Sequence, residues 1–250
     1  MRPRWDSGPA GLVLVRHGES VGNRADAAAR EAGAEELELD ARDADVELSD
    51  TGREQARALG RWLAERDERS RPTRVVTSPY KRAAETARLA LEGVDLPLEH
   101  DERLRERDLG VLDGLTGAGI RARHPEEAAR RKRLGKFYYQ PPSGESWADV
   151  AHRVRTFLAD LRVGHDGEQV WLFTHQAVIM TFRYVLEGID EAEVLELDRT
   201  VRIPNASVTT YRRRGDVLEP EEFADTTAVD QVDVETTHEA PQGERGDRVG

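Results

Sequence analysis

Four apolar residues, Leu12-Val13-Leu14-Val15, run without interruption into Arg16-His17-Gly18-Glu19-Ser20. Such a row of β-favouring residues reads as a buried strand that ends abruptly at something polar. In open α/β sheets ligands bind beyond the carboxyl ends of the strands. The guanidinium of Arg16 and the imidazole of His17 therefore stand where chemistry is done. Two later stretches follow the same rule: Arg74-Val75-Val76-Thr77-Ser78 leads into Pro79 and Arg82, and Val170-Trp171-Leu172-Phe173-Thr174 leads into His175. An Arg-His-Gly triplet alone arises by chance in roughly a few per cent of chains this long. Three strand ends carrying two arginines and two histidines are a stronger signal. With the strands parallel, these groups share one rim and predict a phosphate pocket that contains a nucleophile.

The chain has 250 residues, no cysteine and a formal net charge of −12. That length suits one large domain with a substantial core, and the missing thiols exclude disulfides and thiolate metal sites. No apolar run is long enough to span a bilayer, and Met1 to Ala10 lacks the apolar core of a signal peptide, so a cytoplasmic location is expected. The negative balance argues against nucleic acid as a partner. It does not argue against an anionic substrate, because the local field decides what enters a cleft. The acids crowd into Ala34 to Glu47 and the stretch from Asp216 onward. Arg103, Arg105, Arg107, Arg121, Arg123, Arg130-Arg131-Lys132-Arg133 and Lys136 make the middle basic.

Residues 1–9 read as a flexible leader. Alanines at 25, 27, 28 and 29 favour a short helix after the first strand, and Ala34 to Glu47 reads as a surface loop. Ser49 or Asp50 can cap a helix in which Ala56, Leu59, Trp62 and Leu63 recur at helical spacing. Pro79 suits the first turn of the next helix. Leu96 to His100 is a short strand candidate, Thr116 to about Leu134 is helical with a break at Pro125, and Gly135 to Glu145 is a loop able to reach over a site. Ser146 caps a helix striped by Val150, Val154, Phe157, Leu158 and Leu161. Strand Gln169 to Thr174, a helix from about Gln176 to Glu187, a short helix near Glu191 to Leu197 and a last strand Ser207 to Arg212 complete the pattern. The fold class is α/β: a three-layer α/β/α sandwich with a mainly parallel central sheet. The domain is expected to cover 10–214, and 215–250 is expected to be an acidic, disordered tail, having few large apolar side chains to offset the entropy of ordering.

His17 suits nucleophilic attack on phosphorus if one ring nitrogen donates to a backbone carbonyl and leaves the other its lone pair. Gly18 removes a side chain where phosphate must approach the backbone. Arg16 and Arg82 offer planar forks matched to phosphate oxygens, and His175 can donate to the same oxygens. Asn23 and Gln176 are neutral donors able to complete the cradle, with loop capping as their structural alternative. Ser20, Arg107 and Tyr139 complete the substrate-binding candidates. The seven histidines show no close-spaced ligand pair, so neither metal nor cofactor is expected.

As a set, Arg16-His17-Gly18-Glu19 with Asn23, Leu48-Ser49 with Gly52 and Gln55-Ala56, Ser78-Pro79 with Arg82 and Thr86, Glu106, Gly144-Glu145-Ser146 and His175 resemble the histidine phosphatase superfamily, in its phosphoglycerate mutase-like branch. The resemblance spans about 10–214. It implies a phosphohistidine at His17, a phosphate-contacting role for His175, and a proton donor at Glu106, for which Asp108 is the rival. His175-Gln176-Ala177-Val178 resembles the bisphosphatase half of the bifunctional fructose-2,6-bisphosphate enzymes, where mutases carry glycine after the histidine. The long Trp- and Pro-rich insertion of the mutases is missing. The resemblance thus implies a metal-independent phosphomonoesterase acting on a small phosphorylated metabolite. A cofactor-dependent mutase and a non-catalytic phosphate-binding regulator are the alternatives, and a homodimer is possible.

Overall fold

The computed structural model describes residues 2–67, 70–232 and 234–238. In chain order its elements are β1 (Gly11–Arg16), α1 (Val21–Ala32), α2 (Asp50–Glu65), β2 (Arg74–Thr77), α3 (Lys81–Ala90), β3 (Leu98–His100), α4 (Gly117–Arg123), α5 (Pro125–Leu134), α6 (Trp147–Asp160), β4 (Gln169–Thr174), α7 (Gln176–Glu187), α8 (Glu191–Thr200), β5 (Val208–Arg214), β6 (Val217–Asp225) and α9 (Thr227–Asp230). The sheet order is β3-β2-β4-β1-β5-β6. β3, β2, β4 and β1 are mutually parallel, while β5 and β6 run antiparallel. The sheet is therefore mainly parallel.

Strand alternation creates the three layers. Successive side chains of a strand point to opposite faces, so Leu12 and Leu14 of β1 join Val170 and Leu172 of β4 under α6 and α7. Val13, Val15, Trp171 and Phe173 point the other way, against Leu59, Trp62 and Leu63 of α2 and Ala87 and Ala90 of α3. The apolar runs are thus buried on both faces, each fully buried leucine contributing roughly 1.5–3 kcal/mol. Because β4 lies between β1 and β2, with Arg16 opposite Thr174 and Thr77 opposite Phe173, the three strand ends are level.

Both chain ends depart from expectation. The leader is docked: Trp5 is 1% exposed within the α6–α7 core, and its backbone N–H donates to the Asp216 carbonyl at 2.7 Å. One indole outweighs the surrounding prolines and glycine, since an aromatic side chain buries about 150–250 Å². The domain does not stop at 214, because β6 pairs along the free edge of β5. Leu218, Ala228 and Val229 are buried there, and Arg183 stacks on Phe223 at 4.0 Å. Composition averaged over the acidic stretch hides a nine-residue strand whose backbone bonds are supplied by its neighbour. Residues 239–250 of the expected tail lie outside the described residues. A smaller difference concerns Pro79, which precedes Tyr80, the N-cap of α3, rather than occupying the first turn. Among the described residues no helix is long and apolar enough to cross a membrane.

Candidate active site

The ends of β1, β2 and β4 bring the four central groups together. His17 follows β1 and its N–H donates to the Thr174 carbonyl at 3.0 Å; Ser78 follows β2 and donates to the Phe173 carbonyl at 2.9 Å. The His17 and His175 rings stand 5.1 Å apart between centroids. Nδ1 of His17 lies 2.7 Å from the Gly18 carbonyl oxygen, an acceptor only, so Nδ1 carries the proton. Nε2 keeps its lone pair and accepts from Nε of Arg82 at 3.3 Å. Burial, reinforced by the charges of Arg82 and Arg16, pushes the His17 pKa well below 6.5 and keeps the ring neutral. His175 is pushed down likewise, by burial first and then by Arg82. Its Nε2 meets the Ser78 hydroxyl at 2.9 Å, and its Nδ1 is buried without a partner.

The arginines differ in their anchorage. Arg16, fully buried, donates through Nη1 to the Ile203 carbonyl. Arg82 lies in the first turn of α3, stacks on Tyr80 at 5.2 Å, and holds both the carbonyl and the carboxylate of Asp43. Tyr80 stands edge-on to His175 at 5.4 Å, and burial first, then Asp43, pushes its hydroxyl up to about 12.

The loop carrying His17 is held by backbone packing. A Cβ on Gly18 would meet the Gly52 carbonyl oxygen at 2.5 Å, and one on Gly52 would meet that of Glu19 at 1.9 Å. The absent side chain of Gly18 therefore makes room for the start of α2 rather than for phosphate. The Gly18 N–H donates to Thr86 Oγ1 at 3.0 Å and the Glu19 N–H to Gln55 at 2.8 Å.

The remaining candidates divide. Glu106 is half-buried after the short 3-10 turn Glu102–Leu104, and its carboxylate accepts from the Arg107 N–H at 2.8 Å. Its segment is tied to the end of β4 because Thr174 donates to the Leu104 carbonyl at 2.7 Å. Asp108 is exposed and caps Gly110 at 2.7 Å. Asn23 closes a capping box with Ser20, and its Oδ1 accepts from Ser20 and from Asn205, so its Nδ2 faces the other way. In that cap the Ser20 hydroxyl donates to Asn23 Oδ1 and accepts from the Asn23 N–H, each at 3.1 Å. Gln176 opens α7 with its Oε1 buried and without a partner. The Arg107 guanidinium stands 6.0 Å from the Trp147 ring, and burial lowers its pKa. Tyr139 is buried, and its hydroxyl donates to Glu127 of α5 at 2.8 Å, which ties it to that helix. Among the described residues no three His, Asp or Glu side chains are grouped to hold a metal ion.

Two supporting residues escaped sequence reasoning. Asn205, fully buried, donates to the His17 carbonyl and to Asn23, each at 3.2 Å. Gln55 joins the Glu19 loop to the Glu235 carbonyl at 2.7 Å and to Thr237 at 3.0 Å. Gln55 belongs to the quoted motif set, but nothing local assigns it a task. Asn205 has no sequence signal beyond preceding a strand.

The comparisons agree with this geometry. A 2,3-bisphosphoglycerate-dependent phosphoglycerate mutase of Methylobacterium radiotolerans is 32% identical over 228 residues, 88% of this chain and 95% of the relative. The 6-phosphofructo-2-kinase/fructose-2,6-bisphosphatase of Gallus gallus is 34% identical over 172 residues, 68% of this chain and 31% of the relative; the chain thus spans about a third of that bifunctional protein's length. A solved mycobacterial glucosyl-3-phosphoglycerate phosphatase in complex with VO3 is 29% identical, covers 86% of this chain and 98% of its own, and superposes with a TM-score of 0.68. The model of the histidine phosphatase superfamily (branch 1) matches residues 12–226. With its two histidines and two arginines gathered on one rim, the chain belongs to that superfamily.

Proposed function

We propose that the protein is a metal-independent phosphomonoesterase that acts on a small phosphorylated metabolite through a phosphohistidine at His17. The observation that carries this reading is the fixed tautomer of His17. Its Nδ1 proton is held by the Gly18 carbonyl, so Nε2 is a neutral, desolvated lone pair beside a guanidinium. In-line attack by Nε2 on phosphorus forms the N–P bond as the ester P–O bond breaks. Arg16 and Arg82 balance the charge on the equatorial oxygens and the neutral His175 donates to them, which supplies the electrostatic help that phosphoryl transfer demands. The otherwise unpartnered Nδ1 of His175 and the Nδ2 of Asn23 are donors for those oxygens. Glu106 gives a proton to the leaving alkoxide, then takes one from the water that cleaves the N–P bond.

The test is release of inorganic phosphate from p-nitrophenyl phosphate and from a panel of phosphorylated metabolites, with and without EDTA. Sustained release unaffected by chelation supports the reading, and no release from any ester refutes it. The match to a mutase over nearly that relative's whole length favours one second reading. Interconversion of 2- and 3-phosphoglycerate faster than their hydrolysis would establish it.

A further inference from the structure

Asp43 opens a short 3-10 turn, Asp43–Asp45, in the acidic loop between α1 and α2. Its acidic neighbours are satisfied on the surface: Asp45 accepts from Arg42 at 2.7 Å, and Glu47 lies 3.8 Å from Arg53 and 3.9 Å from Lys81. Asp43 alone of the three reaches Arg82. Oδ1 is 2.9 Å from Nη1, Oδ2 is 3.2 Å from Nη2, and Nη1 also donates to the Asp43 carbonyl at 2.6 Å. Two carboxylate oxygens on the two terminal nitrogens is the fork geometry a phosphate would adopt. Arg82 is at the same time 3.3 Å from the attacking nitrogen of His17. The charge of Asp43 is felt across the pocket, where it helps to raise both the Tyr80 hydroxyl and the Asp113 carboxyl.

We propose that the Asp43 carboxylate is an internal stand-in for substrate phosphate on Arg82, and so sets the affinity of the site for phosphate esters and for the phosphate released. The proposal rests on Arg82 being a phosphate ligand. A phosphate dianion carries more charge than a carboxylate and displaces it, so part of the binding free energy of every substrate goes into moving Asp43 aside. After turnover the carboxylate returns to the guanidinium and helps expel product. Residues 40–42 are exposed and Val46 is buried, so the turn can swing outward about Val46 while α2 stays in place.

The experiment is calorimetric titration of inorganic phosphate into the full chain and into Asp43→Asn, Asp43→Ala and Asp45→Asn, with KM and kcat for p-nitrophenyl phosphate measured alongside. Removing a charge-assisted contact to Arg82 should tighten phosphate by about tenfold in both Asp43 variants. KM should fall, kcat should not rise, and Asp45→Asn should match the parent. Unchanged phosphate affinity in both Asp43 variants would overturn the proposal. Weaker binding would overturn it too, and would make Asp43 a residue that positions Arg82. Phosphate binding by none of the four proteins would overturn the reading of Arg82 itself, and this one with it.

Discussion

The two rims of the sheet bury arginine to different depths. At the rim where β1 and β4 begin, a cavity of about 160 Å³ is lined by Trp62, Trp171, Arg66, Arg212 and Glu222. Arginines there meet carboxylates: Arg212 with Glu221 at 2.8 Å, Arg66 with Glu222 at 3.8 Å, and Arg74, at the start of β2, with Glu99 at 2.5 Å. At the other rim Arg16 donates to a carbonyl, and Arg82 meets an imidazole, a carbonyl and the carboxylate of Asp43. Paired charges on a surface contribute little and attract little. Burial first, and then the charge of Arg82, holds the two imidazoles neutral. The same residue type is partly exposed beside carboxylates on one rim and buried beside two imidazoles on the other.

Substitutions can break that contrast, beginning with the largest effect. Arg82→Lys keeps the charge but loses the fork, and should lower kcat/KM for p-nitrophenyl phosphate by about 100-fold. Arg66→Ala on the opposite rim should leave kcat/KM within about twofold, because it removes only a surface pair and a stack on Trp62. A larger loss for Arg66→Ala would mean that the rims are coupled.

Glycines sharpen the comparison through stability. Gly52→Ala drives a Cβ against the Glu19 carbonyl oxygen, which is backbone, whereas Gly11→Ala at the opposite rim first meets the Gln169 side chain at 2.4 Å, which can swing away. Urea unfolding should show Gly52→Ala costing roughly 1–3 kcal/mol and Gly11→Ala clearly less. Equal costs would show that the His17 loop is not rigidly packed.

A smaller effect concerns pH. Both imidazoles have folded pKa values below 6.5, by burial first and Arg82 second. As pH falls through 6.5 the unfolded chain takes up protons that the folded chain refuses, so stability falls with decreasing pH until the folded rings titrate. The double variant His17→Asn, His175→Asn should therefore lose less stability than the parent between about pH 7.5 and about pH 5.5. Urea midpoints at the two values decide it, and parallel losses would refute the depressed pKa values.

What could be read from sequence follows the range of the interactions. β4 and α7 were legible to the residue, because an apolar run followed by His175 and a helical stripe are local signals. The three-layer sheet and the gathering of Arg16, His17, Arg82 and His175 follow from those runs and the strand-end rule. The support of the site was not legible. Asn205 acts on His17 from 188 positions away, and Gln55 bonds Thr237 from 182 away. Such pairings arise only once β5 and the end of the chain are in place. Asp43 was hidden among other acids of an irregular loop, and only the fold singles it out. Tyr139 and Ser20 carry contacts that sequence does not announce, a bond to α5 and a capping box.

The central claim is that Nε2 of His17 accepts the phosphoryl group. Rapid acid- and base-quench of the enzyme mixed with a ³²P-labelled phosphate ester, followed by peptide mapping, tests it directly. The expected result is a label on His17 that survives base, is lost in acid, and is absent from His17→Ala, which should also lose turnover by at least about a thousandfold. A label on another residue, or an unlabelled enzyme that still turns over in His17→Ala, would contradict it.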